Sequence, residues 1–240
     1  MKIISIIPAR MESSRFPGKP MFKIKGTPMI EMVYKKVKKN KFLDEVIVAT
    51  CNEEIFNHIN SIGGVSIMTS KKHDRASDRS YEALMKYEKK MNRNYDIVVM
   101  VQGDEPMVHH KMITESIRPL IKSKKIQIVN LMSKIRSKQE FTDKNTIKVV
   151  LDKFDNALYF SRSPIPSGKF DTKTKYMKQV CIIPFRRNFL IKYKKLKPTK
   201  LEIKESVDMM RILENGYDVK MIETKFKTQA VDTREDAKRV

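Results

Sequence analysis

No apolar run in the 240 residues approaches the ~18 that a membrane-spanning helix needs, so a protein that crosses a bilayer on helices is excluded. The opening Met1-Lys2-Ile3-Ile4-Ser5-Ile6-Ile7 meets Pro8 and Arg10 too soon to read as a secretory signal. Two cysteines, Cys51 and Cys181, cannot make a disulfide framework; both sit in apolar, strand-like segments and are expected to be buried free thiols in a reducing cytoplasm. Neither an internal repeat, a low-complexity tract nor a flexible linker interrupts the chain, and 40% hydrophobic residues in periodic segments exclude a disordered or fibrous class. Acidic residues are scarce, 28 against 50 Lys plus Arg, for a net charge of +22. Such an excess suits a nucleic-acid binder. However, Lys outnumbers Arg 37 to 13, the lysines are scattered over helical surfaces such as Lys35, Lys36, Lys38, Lys39 and Lys41, and Tyr193 is the lone aromatic within the densest tract, Lys192 to Lys200. The charge reads as a solvated surface that attracts a small polyanion, with neither nucleic acid nor membrane as the expected partner.

What is present alternates. Ile3 to Ile7, Glu45 to Thr50, Val65 to Met68 and Tyr95 to Val101 are apolar and β-branched, and between them Pro28 to Lys39, Glu53 to Ile62 and Ser77 to Lys90 carry helical periodicity. Near-continuous apolar strands separated by helices predict an α/β fold with a doubly wound, mostly parallel sheet, whose ligands bind beyond the carboxyl ends of the strands. The second half changes texture. Thr146 to Leu151, Ala157 to Ser161 and Tyr176 to Phe185 read as strands, the Pro-rich Ser163 to Ser167 separates two of them, and a small inserted sheet or arm is expected at about 152–200 of a single domain spanning 1–240. Glu202 to Asn215 reads as one helix stopped by Gly216, Val219 to Glu223 as a strand, and Thr233 as the start of a last helix.

Chemistry-bearing residues fall where that sheet would place them. After the first strand comes Arg10, then Arg15, then Pro17-Gly18-Lys19; Pro17 and Gly18 suit the central positions of a type II turn that folds Lys19 back towards the two arginines. Three converging cations can receive a phosphate chain, although the G-x-x-x-x-G-K spacing of a Walker loop is absent and a solvated basic loop is the alternative. After the fourth strand, Gly103 among only seven glycines marks a close backbone approach to a ligand or neighbour, and Asp104 beyond it is a candidate Mg²⁺ ligand or an acidic turn before Pro106. Asp232 offers a second carboxylate at the end of a late strand, while Asp232 with Glu235 also fits a helix capping box.

These blocks, taken in order, resemble a known family. Ile7-Pro8-Ala9-Arg10 with Ser13, Arg15 and Pro17-Gly18-Lys19-Pro20; Met68-Thr69-Ser70 with His73 and Asp78-Arg79; Gln102-Gly103-Asp104-Glu105-Pro106; Ala157-Leu158-Tyr159-Phe160-Ser161-Arg162 with Pro164-Ile165-Pro166; Leu201-Glu202; and Val231-Asp232-Thr233 with Glu235-Asp236 are similar to the 3-deoxy-manno-octulosonate cytidylyltransferases. The resemblance implies a nucleotide-diphospho-sugar transferase fold, a cytoplasmic homodimer, Mg²⁺ dependence, and transfer of CMP from CTP to a 3-deoxy-ulosonic acid with release of pyrophosphate. It casts Arg10, Arg15 and Lys19, with Pro8 and Ala9 beside them, as the triphosphate loop. Ser77, Arg79 and Gln102 fall where cytidine is recognised, Asp104 and Asp232 where magnesium is held, Arg162 where the sugar carboxylate is gripped, and Gln179, Glu202 and Asp208 on the sugar side.

The sugar side departs from the pattern. For His-Leu-Gly-Ile-Tyr-Gly-Tyr the chain has Gln179-Val180-Cys181-Ile182-Ile183-Pro184-Phe185, for Glu-Gln before Leu-Arg it has Asp208-Met209-Met210-Arg211, and for Ser-Gly-Thr-Asp-Arg it has Arg75-Ala76-Ser77-Asp78-Arg79. If Phe185 and Met209 face the sugar hydroxyls, a less polar acceptor than the standard octulosonate is expected; if they do not, the standard sugar is used. Another nucleotide or sugar acid on the same fold, and an anionic-polymer binder, are the alternative functions.

Overall fold

All seven residues of the first strand are buried, as in a strand covered on both faces. In the computed structural model, which describes residues 1–13 and 15–240, the first half runs β1 (Ile3–Ala9), β2 (Lys23–Ile24), β3 (Thr27–Pro28), α1 (Met29–Lys38), β4 (Glu45–Thr50), α2 (Glu53–Ser61), β5 (Val65–Met68), α3 (Ala76–Met91), β6 (Ile97–Val101) and α4 (His110–Lys122). The second half runs β7 (Val129–Lys134), α5 (Lys138–Thr142), β8 (Lys148–Leu151), β9 (Ala157–Ser161), β10 (Met177–Val180), β11 (Ile182–Arg186), α6 (Arg187–Lys195), α7 (Lys200–Glu205), α8 (Asp208–Glu214), β12 (Lys220–Glu223) and α9 (Arg234–Ala237).

The main sheet has the order β11-β6-β1-β4-β5. Its β1–β4, β1–β6 and β4–β5 pairs are parallel, and β11 closes the β6 edge antiparallel. Alternation along β1 decides which helices cover which face. Ile4 and Ile6 pack with Leu84 and Tyr87 of α3 and Phe189 and Leu190 of α6, while Ile3 and Ile7 pack with Val33 and Val37 of α1 and Ile113 and Ile117 of α4. Each such side chain, fully withdrawn from water, contributes roughly 1.5–3 kcal/mol. The expected doubly wound, mostly parallel sheet is thus present. No helix among the described residues is long and apolar enough to cross a membrane.

The later half corrects four expectations. The segment Tyr176 to Phe185 is two strands, divided at Cys181: β10 runs antiparallel to β7 and β8 in a second sheet, and β11 turns away to pair with β6. That second sheet, ordered β12-β7-β10-β8-β9, is not confined to about 152–200, because β7 and β12 come from either side of that range and pair parallel. Conversely β11 and α6, inside the range, belong to the main layer. A bridge from Ile128 to Phe185 and the Arg186 N–H bond to the Gln127 carbonyl join the two sheets at their edges. The expected helix Glu202 to Asn215 is broken into α7 and α8 by Ser206, which sits in the left-handed region at φ 53° and ψ 50°. Asp232 lies on an irregular segment, since the last strand ends at Glu223.

Candidate active site

Beyond the carboxyl ends of β1 and β6, the junction of the two sheets opens a cleft of about 900 Å³. Gly103 permits this architecture: a Cβ there would stand 3.0 Å from Ile30 Cδ1 and 3.2 Å from the Pro8 carbonyl. The close approach expected of Gly103 is therefore to β1, and it leaves Asp104 projecting at the cleft floor.

The phosphate-loop turn forms as its sequence requires. Gly18 adopts φ 74°, ψ 7°, and the Lys19 N–H bonds the Phe16 carbonyl at 3.2 Å, closing a type II turn. Lys19 then points into the cleft, where its Nζ donates to Asp104 Oδ2 at 2.6 Å and to the Val231 carbonyl at 3.1 Å and lies 3.5 Å from Asp232 Oδ1. Arg15 binds the same Asp232 oxygen at 2.8 Å and also reaches the Asn145 side chain. Arg10 donates to the His73 carbonyl at 3.4 Å and lines the cleft. Burial disfavours the Lys19 ammonium, but the Asp104 and Asp232 charges outweigh it and raise its pKa. Burial, then the neighbouring Asp104 charge, raise that of Asp232 despite Lys19 and Arg15. The capping alternative for Asp232 is removed: Thr233 caps α9, accepting from the Asp236 N–H at 3.2 Å, and Asp236 returns the bond. No group of three or more His, Cys, Asp or Glu side chains is arranged to hold a metal ion by itself among the described residues. Two carboxylates sharing one cation suit Mg²⁺, which is commonly held by one or two carboxylates with substrate phosphates completing the shell.

On the adjoining wall Arg79 is 3% exposed. Its Nη1 donates to Thr69 Oγ1 at 2.5 Å and to the Ser70 carbonyl at 3.3 Å, whereas Nη2 has no partner among the described residues. A buried guanidinium nitrogen left unpaired is costly unless a ligand completes it, and this side chain lines the cleft. Pro8, Ala9 and Gln102 also line it. Ser77 does not: it is fully buried, its hydroxyl donating to Asp208 Oδ2 at 2.6 Å beside the Tyr193 hydroxyl, so it supports Asp208 instead of meeting a base.

The far wall belongs to the second sheet and α8. Arg162 lines the cleft, but Nε, Nη1 and Nη2 already donate to the carbonyls of Glu205, Lys144 and Ser206 at 2.7, 3.0 and 3.3 Å, leaving two N–H groups for a ligand. Gln179 lines it with Nε2 bonded to Asn130 Oδ1 at 2.6 Å, and Asp208 lines it with its pKa raised by burial. Glu202 is fully buried in a two-bond pair with Arg211, at 2.6 and 2.7 Å, and is not a cleft residue. Phe185 and Met209 are likewise wholly buried in the core beneath the main sheet, so neither faces a sugar hydroxyl.

Three groups escaped the sequence reading. Glu105, burial-driven to a pKa of about 7 with Asp104 adding to the rise, lines the cleft and accepts the Cys181 N–H at 3.1 Å. Cys181 is half-buried and lines the cleft instead of lying in a strand interior, and burial pushes its thiol far up. Lys148 is fully buried, its Nζ shared among the carbonyls of Asp143, Thr146 and Arg162 at 2.8, 2.7 and 2.6 Å. Those bonds fix the loop that carries Asn145 towards Arg15. A strand lysine turned inward onto two carbonyls of the preceding loop and one fourteen residues on reveals it, and sequence carries no signal for that.

The fold and a cleft with cations set against paired carboxylates define a nucleotidyltransferase, and residues 4–225 match the cytidylyltransferase family model. The chain is 41% identical, over all of its length and 96% of the relative's, to a 3-deoxy-manno-octulosonate cytidylyltransferase of Fusobacterium nucleatum subsp. nucleatum, and 39% identical to one of Geobacter metallireducens over all of its length and 96% of that protein. A solved CMP:2-keto-3-deoxy-manno-octonic acid synthetase complexed with CTP superposes with a TM-score of 0.88 at 34% identity, covering 100% of this chain and 96% of that one. The chain belongs to the 3-deoxy-manno-octulosonate cytidylyltransferase family.

Proposed function

We propose that this enzyme transfers CMP from CTP to 3-deoxy-manno-octulosonate or a close 3-deoxy-ulosonic acid, with Mg²⁺, in the cytoplasm and for a surface polysaccharide. The observation that carries the reading is Lys19 seated between Asp104 and Asp232 at the mouth of β1, in a cleft that Arg79 also lines. The names of the relatives supply the acceptor. Burial of Phe185 and Met209 removes the argument for a less polar sugar and favours the standard octulosonate.

In this reading Arg10, Arg15 and Lys19 bind the triphosphate, and Arg79 with Gln102 meets the cytosine. The remaining N–H groups of Arg162 take the acceptor carboxylate. The anomeric hydroxyl oxygen forms a bond to the α-phosphorus, the bond from that phosphorus to the bridging oxygen of the β-phosphate breaks, and pyrophosphate leaves; the hydroxyl proton passes to solvent. Catalysis is positioning together with charge neutralisation, and one well-placed donor of this kind is worth about 10²–10³ in rate. Asp104 and Asp232 would hold the Mg²⁺ ion, which supplies Lewis-acid neutralisation of phosphate charge when bound. Homodimer assembly is part of the same reading, with Phe154, Leu158 and Ile203, each more than 60% exposed, as side chains a second copy would cover. Pyrophosphate release from CTP, UTP and ATP, each with and without the octulosonate, tests the proposal: release is expected with CTP and acceptor together, and equal release from all three nucleotides refutes it.

A further inference from the structure

Arg75 is one of the side chains that fasten the nucleotide-side and acceptor-side walls of the cleft together. Arg75, at the N-terminal end of α3, reaches 131 positions along the chain to donate from Nη1 to Ser206 Oγ at 2.8 Å. Its Nη2 lies 3.4 Å from the Glu202 carbonyl, and its Nε lies 3.3 Å from Glu202 Oε1 and 3.8 Å from Asp208 Oδ1. Two residues on, Ser77 binds Asp208 through both its hydroxyl and its N–H. From the opposite side Arg162 bonds the Ser206 and Glu205 carbonyls. Ser206 is thus held between two arginines that both line the cleft, in a left-handed conformation uncommon for a non-glycine residue.

We propose that Arg75 is a positioning residue for the acceptor: by tying the start of α3 to the Ser206 junction, it holds Asp208 and Arg162 at the spacing the sugar acid requires. The inference rests on the function proposed above. Positions 75 and 208 are both places where the chain departs from the pattern it resembles, and the two departures meet in space. A long guanidinium stands opposite a short carboxylate, so each side chain's length suits the other's. Without Arg75, the half-buried Asp208 would keep Ser77 as its partner among the described residues, and Ser206 would lose the anchor on its hydroxyl.

The test is steady-state pyrophosphate release with CTP and 3-deoxy-manno-octulosonate as varied substrates. Arg75→Ser is expected to raise the acceptor KM about tenfold while kcat and the CTP KM stay within about twofold, the signature of acceptor binding lost without loss of chemistry. Adding Asp208→Glu, which lengthens the carboxylate as the partner shortens, is expected to recover most of that affinity. Arg75→Lys, which keeps the charge but not the fork, guards against a misfolded Ser variant and is expected to fall between wild type and Arg75→Ser. An unchanged acceptor KM, equal rises in both KM values, or additive losses in the double variant would overturn the proposal. Wild-type enzyme that turns over no octulosonate would instead remove the functional reading, and this inference with it.

Discussion

Replacing Lys19 with Met takes the one ammonium out of a nest of two carboxylates. Its Nζ is 2.6 Å from Asp104 and 3.5 Å from Asp232, so the two oxygens stand at most about 6 Å apart and, without it, repel by about 3 kcal/mol at an effective dielectric constant of about 20. The cleft admits water, which softens that figure, while the lost bond to Asp104 adds to it; we expect the nucleotide-free, Mg²⁺-free protein to lose about 2–3 kcal/mol. Urea unfolding at neutral pH and low salt measures this. Asp232→Asn in the Lys19→Met background should restore at least half of the loss, because one of the repelling charges is then gone. The sign with pH follows from the raised pKa of Asp232. A carboxyl whose folded pKa lies above its unfolded value penalises the fold progressively as pH rises through the folded value, so the deficit should shrink as pH is lowered from 7. The reasoning is refuted if Lys19→Met is as stable as wild type, or if adding Asp232→Asn deepens the loss.

Three further outcomes follow from the same geometry. By calorimetric titration, Lys19→Ala and Arg10→Ala should weaken CTP more than CMP, by about 1.5–3 kcal/mol for each charge-assisted bond lost, whereas Arg79→Met should weaken the two nucleotides equally; equal losses for all three variants would contradict the division into phosphate and base ends. Asp104→Asn and Asp232→Asn should each abolish Mg²⁺-dependent turnover while circular dichroism shows a folded protein, and near-wild-type turnover in either variant would take that residue out of the cation site. Although burial opposes it, the bonds from Lys86, the Ser70 N–H and His73 hold Glu82 down to a pKa of about 2. Its contribution is therefore present above the ordinary carboxylate range and lost as pH falls towards 2. Acid unfolding of Glu82→Gln should start from lower stability and converge on wild type only as pH falls through about 2, and parallel curves would show that Glu82 does not clip the Ser70–His73 loop.

The phosphate end of the nucleotide half is legible because its information is local, whereas Ser77, expected at the base, is buried against Asp208. A strand end, the Pro17-Gly18 turn and a glycine beside Asp104 each dictate backbone geometry within a few residues, and Lys19 lands beside Asp104 as a result. The acceptor half is assembled from distant pieces. Nothing around Glu202 says that its carboxylate is consumed by Arg211 nine residues on, nor around Ser77 that its hydroxyl serves Asp208. Phe185 sits in an aligned motif, yet β11 leaves the second sheet at Cys181 and carries it into the core. The helical periodicity of Glu202 to Asn215 was real, but it does not register the break at Ser206, which two arginines from other parts of the chain hold in place.

The central claim is the joining of a cytidylyl group to an ulosonic acid, and the most direct measurement is ³¹P NMR of enzyme, CTP, Mg²⁺ and 3-deoxy-manno-octulosonate in one tube. The account predicts stoichiometric appearance of one phosphodiester resonance and free pyrophosphate, both absent when the sugar acid or Mg²⁺ is omitted. Free CMP with pyrophosphate but no diester, or a diester formed equally well from UTP, would contradict it.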